Sequence, residues 1–350
     1  MKIVFFVIAL SCISVANSQT LPDGISKNPV DSVSNQPEVI LPVADQAPGS
    51  AKKYERKATD LILFPEAKKT ILDANYQSQS NEYVWRYEGE DYANIETTTN
   101  SLNLRGLYAI NDKIAVGATV SRVIKGKSTL KYGSASTKDG EKLNRESSGF
   151  RDVVLEAVYR VMDVSRDRYD MNVGVLLSPG IREAKDPSES KDGNAANGGN
   201  EYSLFLKWGR RNLGNQWSVG FQLNNFGESK SKDASTKDVT KTDSYSTIEI
   251  NGDFQWLISN RFIFGLNMAY QNLGKYTITF ADDTYDDYDD APAFTFGATG
   301  NFLITDDTYI KLKYEMGAAS DRDITGSDGT VISMEDLVGG VFTIGVLKQF

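Results

Sequence analysis

No histidine occurs anywhere in these 350 residues. That removes the commonest general base, proton shuttle and metal ligand. The single cysteine, Cys12, lies in an apolar N-terminal stretch expected to be cleaved, so disulfides and thiolate metal sites go with it. After that stretch no segment stays apolar for the roughly 18 residues that a transmembrane helix requires. A basic excess is missing too: 38 Lys and Arg stand against 47 Asp and Glu, a net charge of −9. This argues against nucleic acid as a partner.

Residues 1–18 have the pattern of a secretory signal. Lys2 precedes the continuous apolar run Ile3 to Leu10, and Ala16-Asn17-Ser18 offers small residues for cleavage. The alternatives are a membrane anchor, for which the run is too short, and a lipoprotein signal at Ser11-Cys12, where Ala9 stands in place of the usual Leu. Six of the nine prolines fall between residues 19 and 66, in a stretch rich in Ser, Asp, Asn and Gln. It reads as an extended or disordered leader. A short helix is expected over 51–64, ended by Pro65. The remaining prolines, Pro179, Pro187 and Pro292, all fall in expected loops.

From about residue 67 the apolar pattern has period two. Ile248, Ile250, Phe254, Trp256 and Ile258 alternate with Thr247, Glu249, Asn251, Asp253 and Gln255, and Phe262 to Tyr270 repeats the pattern after Ser259-Asn260. Side chains of a strand point alternately to opposite faces, so each segment has one apolar face, and the short break makes a hairpin. Strands are expected near 67–78, 97–110, 114–123, 149–161, 168–178, 200–211, 216–226, 243–258, 261–272, 292–304, 308–317 and 335–350. Short connections alternate with long polar ones at 79–96, 124–148, 179–199, 227–242, 273–291 and 318–334. Twelve long strands with alternating short and long connections predict an all-β fold, a transmembrane antiparallel β-barrel of the outer-membrane type over 67–350. Long structureless loops are uncommon in compact soluble domains, which counts against a β-sandwich. Aromatics gather at the short-turn ends, at Tyr108, Tyr159, Tyr169, Trp208, Trp217, Trp256, Phe262 and Phe302, as an interfacial belt requires. The last strand carries Phe342, Ile344 and Val346 and ends on Phe350, the terminal pattern of barrels handed to the barrel assembly machinery, although Lys348 takes a usually apolar place.

The apolar face must point to lipid, because Arg or Lys at the bilayer midplane costs about 2–4 kcal/mol. This puts Arg105, Asp152, Glu156, Arg160, Asp170, Lys207, Arg211, Glu249, Asp253, Lys311, Lys313 and Glu315 on the inner face. Acidic and basic groups are balanced there. Two readings follow: salt bridges that fill and stiffen the barrel, or a narrow polar passage for a small solute. The leader either folds into the lumen as a plug or hangs outside as a tether, and its composition favours the tether. Both termini are expected in the periplasm.

Two further motifs bear on chemistry. Gly126-Lys127-Ser128-Thr129 lacks the first glycine of a phosphate-binding loop, where Ser121 stands, and no helix follows. Residues 282–290 hold six aspartates, Asp282, Asp283, Asp286, Asp287, Asp289 and Asp290. A solvated acidic surface loop is the simpler expectation. Calcium is the alternative, since hard cations prefer oxygen ligands, although the EF-hand's turn glycine and final Glu are absent. No other cofactor is expected. Known enzymes on outer-membrane barrels rely on histidine, and no strand displays a Ser and a Lys at a distinctive spacing, so no enzyme is expected.

GFRDVVLEAVYRV (149–161), followed by MNVGVLLSPGIREA (171–184), resembles the outer-membrane transporter family found with the phenol meta-cleavage pathway, related in kind to the FadL and TodX channels for hydrophobic compounds. Gly149, Asp152, Ala157, Tyr159 and Arg160 stand in the first motif; Leu177-Ser178-Pro179-Gly180 departs from the second, Leu-Pro-Thr-Gly. The turn from Tyr108 to Lys113 leading into Ile114-Ala115-Val116-Gly117 is also similar. The resemblance implies passive uptake of small, hydrophobic or aromatic solutes and transfers no binding residue. The expected protein is thus an outer-membrane channel in contact with lipid and lipopolysaccharide. The rival is a closed structural or adhesive barrel acting through its acidic loops.

Overall fold

A computed structural model describes residues 64–350, apart from 164–166, 168, 189–190, 212–213, 260 and 306. The signal, Cys12, nearly all of the leader and its expected helix lie outside the described residues.

The first half of the chain forms β1 (Thr70–Tyr87), β2 (Glu90–Ala109), β3 (Ile114–Tyr132), β4 (Lys142–Phe150), β5 (Val154–Met162), β6 (Asp170–Ser178), β7 (Ala184–Asp186), β8 (Gly193–Asn194) and β9 (Gly199–Arg211). The second half forms β10 (Asn215–Asp233), β11 (Val239–Thr242), β12 (Tyr245–Ser259), β13 (Phe262–Leu273), β14 (Tyr276–Thr279), β15 (Tyr285–Tyr288), β16 (Ala291–Thr305), β17 (Thr308–Ala319), β18 (Arg322–Gly326) and β19 (Val331–Gln349). Twelve members close a ring in the order β1, β2, β3, β5, β6, β9, β10, β12, β13, β16, β17, β19, every neighbour antiparallel. The ring shuts where β1 meets β19, paired from Ile71 opposite Gln349 to Arg86 opposite Ser333 with one shift of register between Glu82 and Val84. Thr70 and Phe350 exchange both backbone hydrogen bonds at the seam, at 3.2 and 2.9 Å. Closure leaves no sheet edge, the condition for a sheet to stand in hydrocarbon.

The expected strand limits hold at the short turns and fail at the opposite end. The segments 79–96, 227–242 and 318–334 are not loops but mostly strand, and 124–148 and 273–291 are largely so. β1 and β2 run on to a tight turn at Glu88 and Gly89, whose φ angles are 52° and 83°. Two successive positive φ values make the turn that matches the twist of a hairpin, and glycine adopts the second without strain. Pro292 likewise sits in β16 rather than a loop, as its second residue, where a missing N–H is tolerated.

The difference has a physical origin. Near the turns the outer face is apolar: on β2 Leu102, Leu104 and Tyr108 are exposed while Asn103 and Arg105 point in. Further along the same strand the sense reverses. Ala93 and Ile95 are fully buried inside, and Glu96 is exposed outside. Beyond the apolar belt the barrel therefore continues as a water-soluble sheet with an ordinary apolar core. That core joins Tyr83, Trp85, Ile95, Leu130, Tyr132, Tyr276, Ile278, Tyr288, Ile332 and Met334, among others. The short strands β11, β14, β15 and β18 build this upper tier between β10 and β19, while β7 and β8 pair parallel with β10 and β4.

The interfacial aromatics behave as expected. Tyr169, Trp208 and Trp217 form one cluster, with centroids 5.0 to 6.4 Å apart. Phe254, Trp256 and Phe264 form another, and Phe262 meets Phe302 at 4.7 Å. In the last strand Phe342, Ile344 and Val346 face outward, and Lys348 lies over the Phe350 ring, its ammonium 4.8 Å from the centroid.

Candidate functional site: the lumen

Strand alternation delivers a polar inner wall at the level of the apolar belt. Glu156, Glu249, Asp253 and Glu315 are buried there, and Arg105, Lys207, Lys311 and Lys313 are partly buried. Arg105 on β2 reaches across β3 to clamp both carboxylate oxygens of Glu156 on β5, at 2.8 and 2.7 Å. Lys311 on β17 reaches across β19 to Asp73 on β1, 3.2 Å away. Lys313 pairs with Glu315 at 2.7 Å, and Asn267 donates to the same carboxylate from β13 at 2.6 Å. Asn251 donates to Glu249 at 2.6 Å. A carboxylate in low dielectric costs less when paired and hydrogen-bonded, so partners at close range are expected of a narrow lumen.

Glycines facing inward make these crossings possible. Gly297 lies in register between Asn267 and Glu315, and a Cβ there would stand 2.6 Å from Glu315 Cγ. Gly220 lies between Lys207 and Asn251 in the same way, with Asn251 Oδ1 2.1 Å from where its Cβ would be.

The other residues expected on this face sit nearer the two ends. Arg211 and Asp170 approach to 3.9 Å toward the turns. Asp152 is buried at the break between β4 and β5, where the Asn197 backbone N–H donates to its Oδ2 at 3.1 Å. Arg160 is buried at the turn end, 3.3 Å from Asp163. Its guanidinium stacks on the Phe64 ring, 4.1 Å from the centroid, and donates to the Phe64 carbonyl at 3.3 Å. Phe64 is packed on Leu107, Ala109, Ala115 and Val158, so the described end of the leader enters the turn-side mouth of the lumen. Ile71, Tyr309 and Leu347 add a second small apolar cluster. The polar wall is thus bounded by apolar packing at both ends.

The inward amides Asn75, Asn103, Gln222, Asn224, Asn251 and Asn267 carry no charge, so the charged residues of the polar face do not point to them, and Asp73 joins the lumen by its pairing with Lys311. Period two marks them all the same. Phe64 carried no such signal, since nothing near it alternates.

The six aspartates at 282–290 are not brought together. Asp282 accepts from Thr284, Asp287 from Thr277, and Asp289 pairs with Lys275 at 2.8 Å. The reason is local: 285–288 is strand, so successive carboxylates point to opposite faces. Among the described residues no group of three or more carboxylates, histidines or cysteines converges to hold a metal. Burial, with Asp328 and Asp287 nearby, pushes the Asp286 carboxyl up to about 6. Burial does the same to Asp186, also to about 6, against the opposing hydrogen bond from Ser231. Asp286 lies in the β14–β15 hairpin, and Asp186 ends β7, which pairs parallel with β10.

No family model and no curated protein matches the chain. Among solved structures it is similar to an outer-membrane channel from Pseudomonas putida F1, with a TM-score of 0.53, 14% identity, and 82% of this chain and 97% of that one covered. It is also similar to the transport unit of the autotransporter AIDA-I from Escherichia coli, with a TM-score of 0.50, 10% identity and coverage of 82% and 94%. A FadL homologue from Pseudomonas aeruginosa aligns more loosely, with a TM-score of 0.41, 11% identity and coverage of 80% and 90%. At these identities the likeness is one of fold. The chain has the fold of outer-membrane β-barrels, and the resemblance to outer-membrane channels drawn from 149–161 and 171–184 is borne out at that level.

Proposed function

We propose that this protein is an integral outer-membrane barrel that passes small solutes passively through a narrow, charge-paired lumen. The observation that carries the reading is the inner wall itself. A closed barrel of twelve strands keeps Arg105–Glu156, Lys311–Asp73 and Lys313–Glu315 inside while Leu, Phe and Tyr cover the outside. Twelve strands fall between the eight that leave room only for side chains and the sixteen that leave an open channel. Short turns and both termini face the periplasm in this reading, and the extended hairpins face outward. The outer surface meets lipid and lipopolysaccharide, and the terminal strand ending at Phe350 is what the assembly machinery reads. No catalysis is assigned.

The sequence resemblance suggested hydrophobic or aromatic solutes. A wall of paired charges and amides fits small polar ones better, because each buried polar group needs a partner that an apolar solute does not supply. Single-channel recording in planar bilayers is the test. A small conductance is expected from the intact protein and a larger one from Phe64→Ala, which removes the ring from the mouth. Silence from both, and from a protein lacking residues 1–63, overturns the channel. Apolar packing at both ends favours one rival, a closed structural or adhesive barrel. That rival predicts silence in all three, with surface binding lost when 282–290 is deleted.

A further inference from the structure

On the outer wall, the ring of Phe150, the last residue of β4, carries two guanidiniums. Arg122 of β3 stands opposite it in register, with Cζ 5.4 Å from the ring centroid. Arg182, from the segment between β6 and β7, places its Cζ 5.7 Å from the same centroid. Its Nη1 also donates to the Phe150 and Arg151 carbonyls, at 3.0 and 3.4 Å, which holds the side chain against the wall. All three side chains are exposed. Among the described residues neither guanidinium has a carboxylate within ion-pair reach. The acidic groups around them are engaged elsewhere. Glu146 pairs with Lys125 at 3.0 Å and Glu183 pairs with Lys232, while the buried Asp152 accepts from the Asn197 backbone N–H.

The height of the cluster on the barrel decides what it can meet. Arg122 lies in register between Phe150 and Leu102, and Leu102 is exposed near the end of the apolar face of β2, beyond which Glu96 faces out. Toward the short turns Leu104, Val120, Leu155 and Leu177 are exposed on the same wall, and Ile181 precedes Arg182. The two cations therefore sit at the boundary of the apolar belt. An outward arginine is expensive at the bilayer midplane and nearly neutral there. We propose that this cluster binds the phosphate groups of lipid A, the lipid anchor of lipopolysaccharide, whose acyl chains lie along the apolar wall beside it. The planar fork of a guanidinium matches phosphate oxygens two at a time. Both forks lie against one ring, so a single headgroup carrying two phosphates spans them. A zwitterionic phospholipid fits less well, because its own amine offsets its phosphate. An acidic soluble protein matches the charge but not the leucines, valine and isoleucine around it. The proposal rests on the outer-membrane reading, which turns this end of the strands toward the outer leaflet.

Native mass spectrometry of the full-length protein released from detergent micelles tests it, with purified lipid A as probe. Lipid A stripped of its phosphates and phosphatidylethanolamine are the controls. Saturable binding of lipid A is expected, with both controls weaker by about tenfold or more, the scale of one charge-assisted contact. Arg122→Gln and Arg182→Gln should each weaken lipid A binding by about tenfold, and the double variant by more. Lys142→Gln, which removes an exposed charge from the other end of β4, should leave the affinity unchanged. Heat-modifiable migration in gels reports whether each variant folds. Arg182 also holds backbone carbonyls, so should Arg182→Gln fail that check, Arg122→Gln decides. The proposal is overturned by absent lipid A binding, by equal binding of the phosphate-free lipid, by unchanged affinity in folded Arg122→Gln, or by an equal loss in Lys142→Gln. Conductance without lipid A binding removes this site and keeps the channel. Lipid A binding without conductance keeps the site and removes the channel.

Discussion

Gly297 illustrates how much of the lumen depends on single atoms. It faces inward between Asn267 and Glu315, and the side chain it lacks is what lets those residues meet over the strand. Gly297→Ala places a Cβ 2.6 Å from Glu315 Cγ and 2.7 Å from the Tyr314 carbonyl oxygen. Backbone cannot step aside cheaply, so a loss of about 1–3 kcal/mol is expected, readable as a lower midpoint for heat-modifiable migration. Trp85 makes the opposite case. It is 4% exposed in the upper core, against Tyr83 at a centroid distance of 6.3 Å. Trp85→Ala should cost about 3–5 kcal/mol, measured by denaturant unfolding in micelles, and should enhance proteolysis of the β1–β2 hairpin. Had the upper tier been the flexible loop expected from sequence, the same substitution would have changed neither.

At the scale of the element, the hairpin made by β14 and β15 couples charge to stability. The Asp286 carboxyl is pushed up by burial and by its acidic neighbours Asp328 and Asp287. A group whose folded pKa is raised favours folding while protonated, and that contribution is lost as pH rises through the folded value. Local stability of β15 should therefore fall between about pH 4 and 7 as Asp286 ionises near 6. Asp286→Asn should flatten that dependence and protect the hairpin above pH 6. Hydrogen exchange of the β15 amides across this range checks both statements. The paired strands β1 and β2 show why such elements escaped a pattern search: their alternation never stops, but the face carrying the apolar residues changes at the edge of the belt. A search for runs of one polarity sees the end of a strand where there is only a change of solvent.

At the scale of the whole molecule, the fold divides into a tier facing lipid and a tier facing water, built on shared strands. The first is inside-out, polar within and apolar without, because lipid replaces water at its surface. The second is packed like a soluble protein. This division predicts that removing the β1–β2 hairpin tip, residues 81–96, leaves the lower ring folded and heat-modifiable, since β1 still pairs with β2 and β19 below it. The conductance of that variant should exceed that of the intact protein, because Tyr83, Trp85, Ala93 and Ile95 leave the core over the mouth. An unchanged conductance would count against that core as the barrier.

Period-two alternation by itself determined the twelve members of the ring and its antiparallel order, because side-chain direction in a strand is a local property of the backbone. The absence of histidine and the aromatic ends of the strands were equally local facts. Only the tertiary structure decided which charges meet. Arg105 finds Glu156, Lys311 finds Asp73 and Asn267 finds Glu315 across an intervening strand, and those pairings follow from register and barrel curvature, which no single segment contains. The same holds for Phe64, whose place in the lumen mouth depends on Leu107, Val158 and Arg160 arriving from other strands. It holds as well for the six aspartates at 282–290, which adjacency in sequence gathers and the pleat of a strand separates.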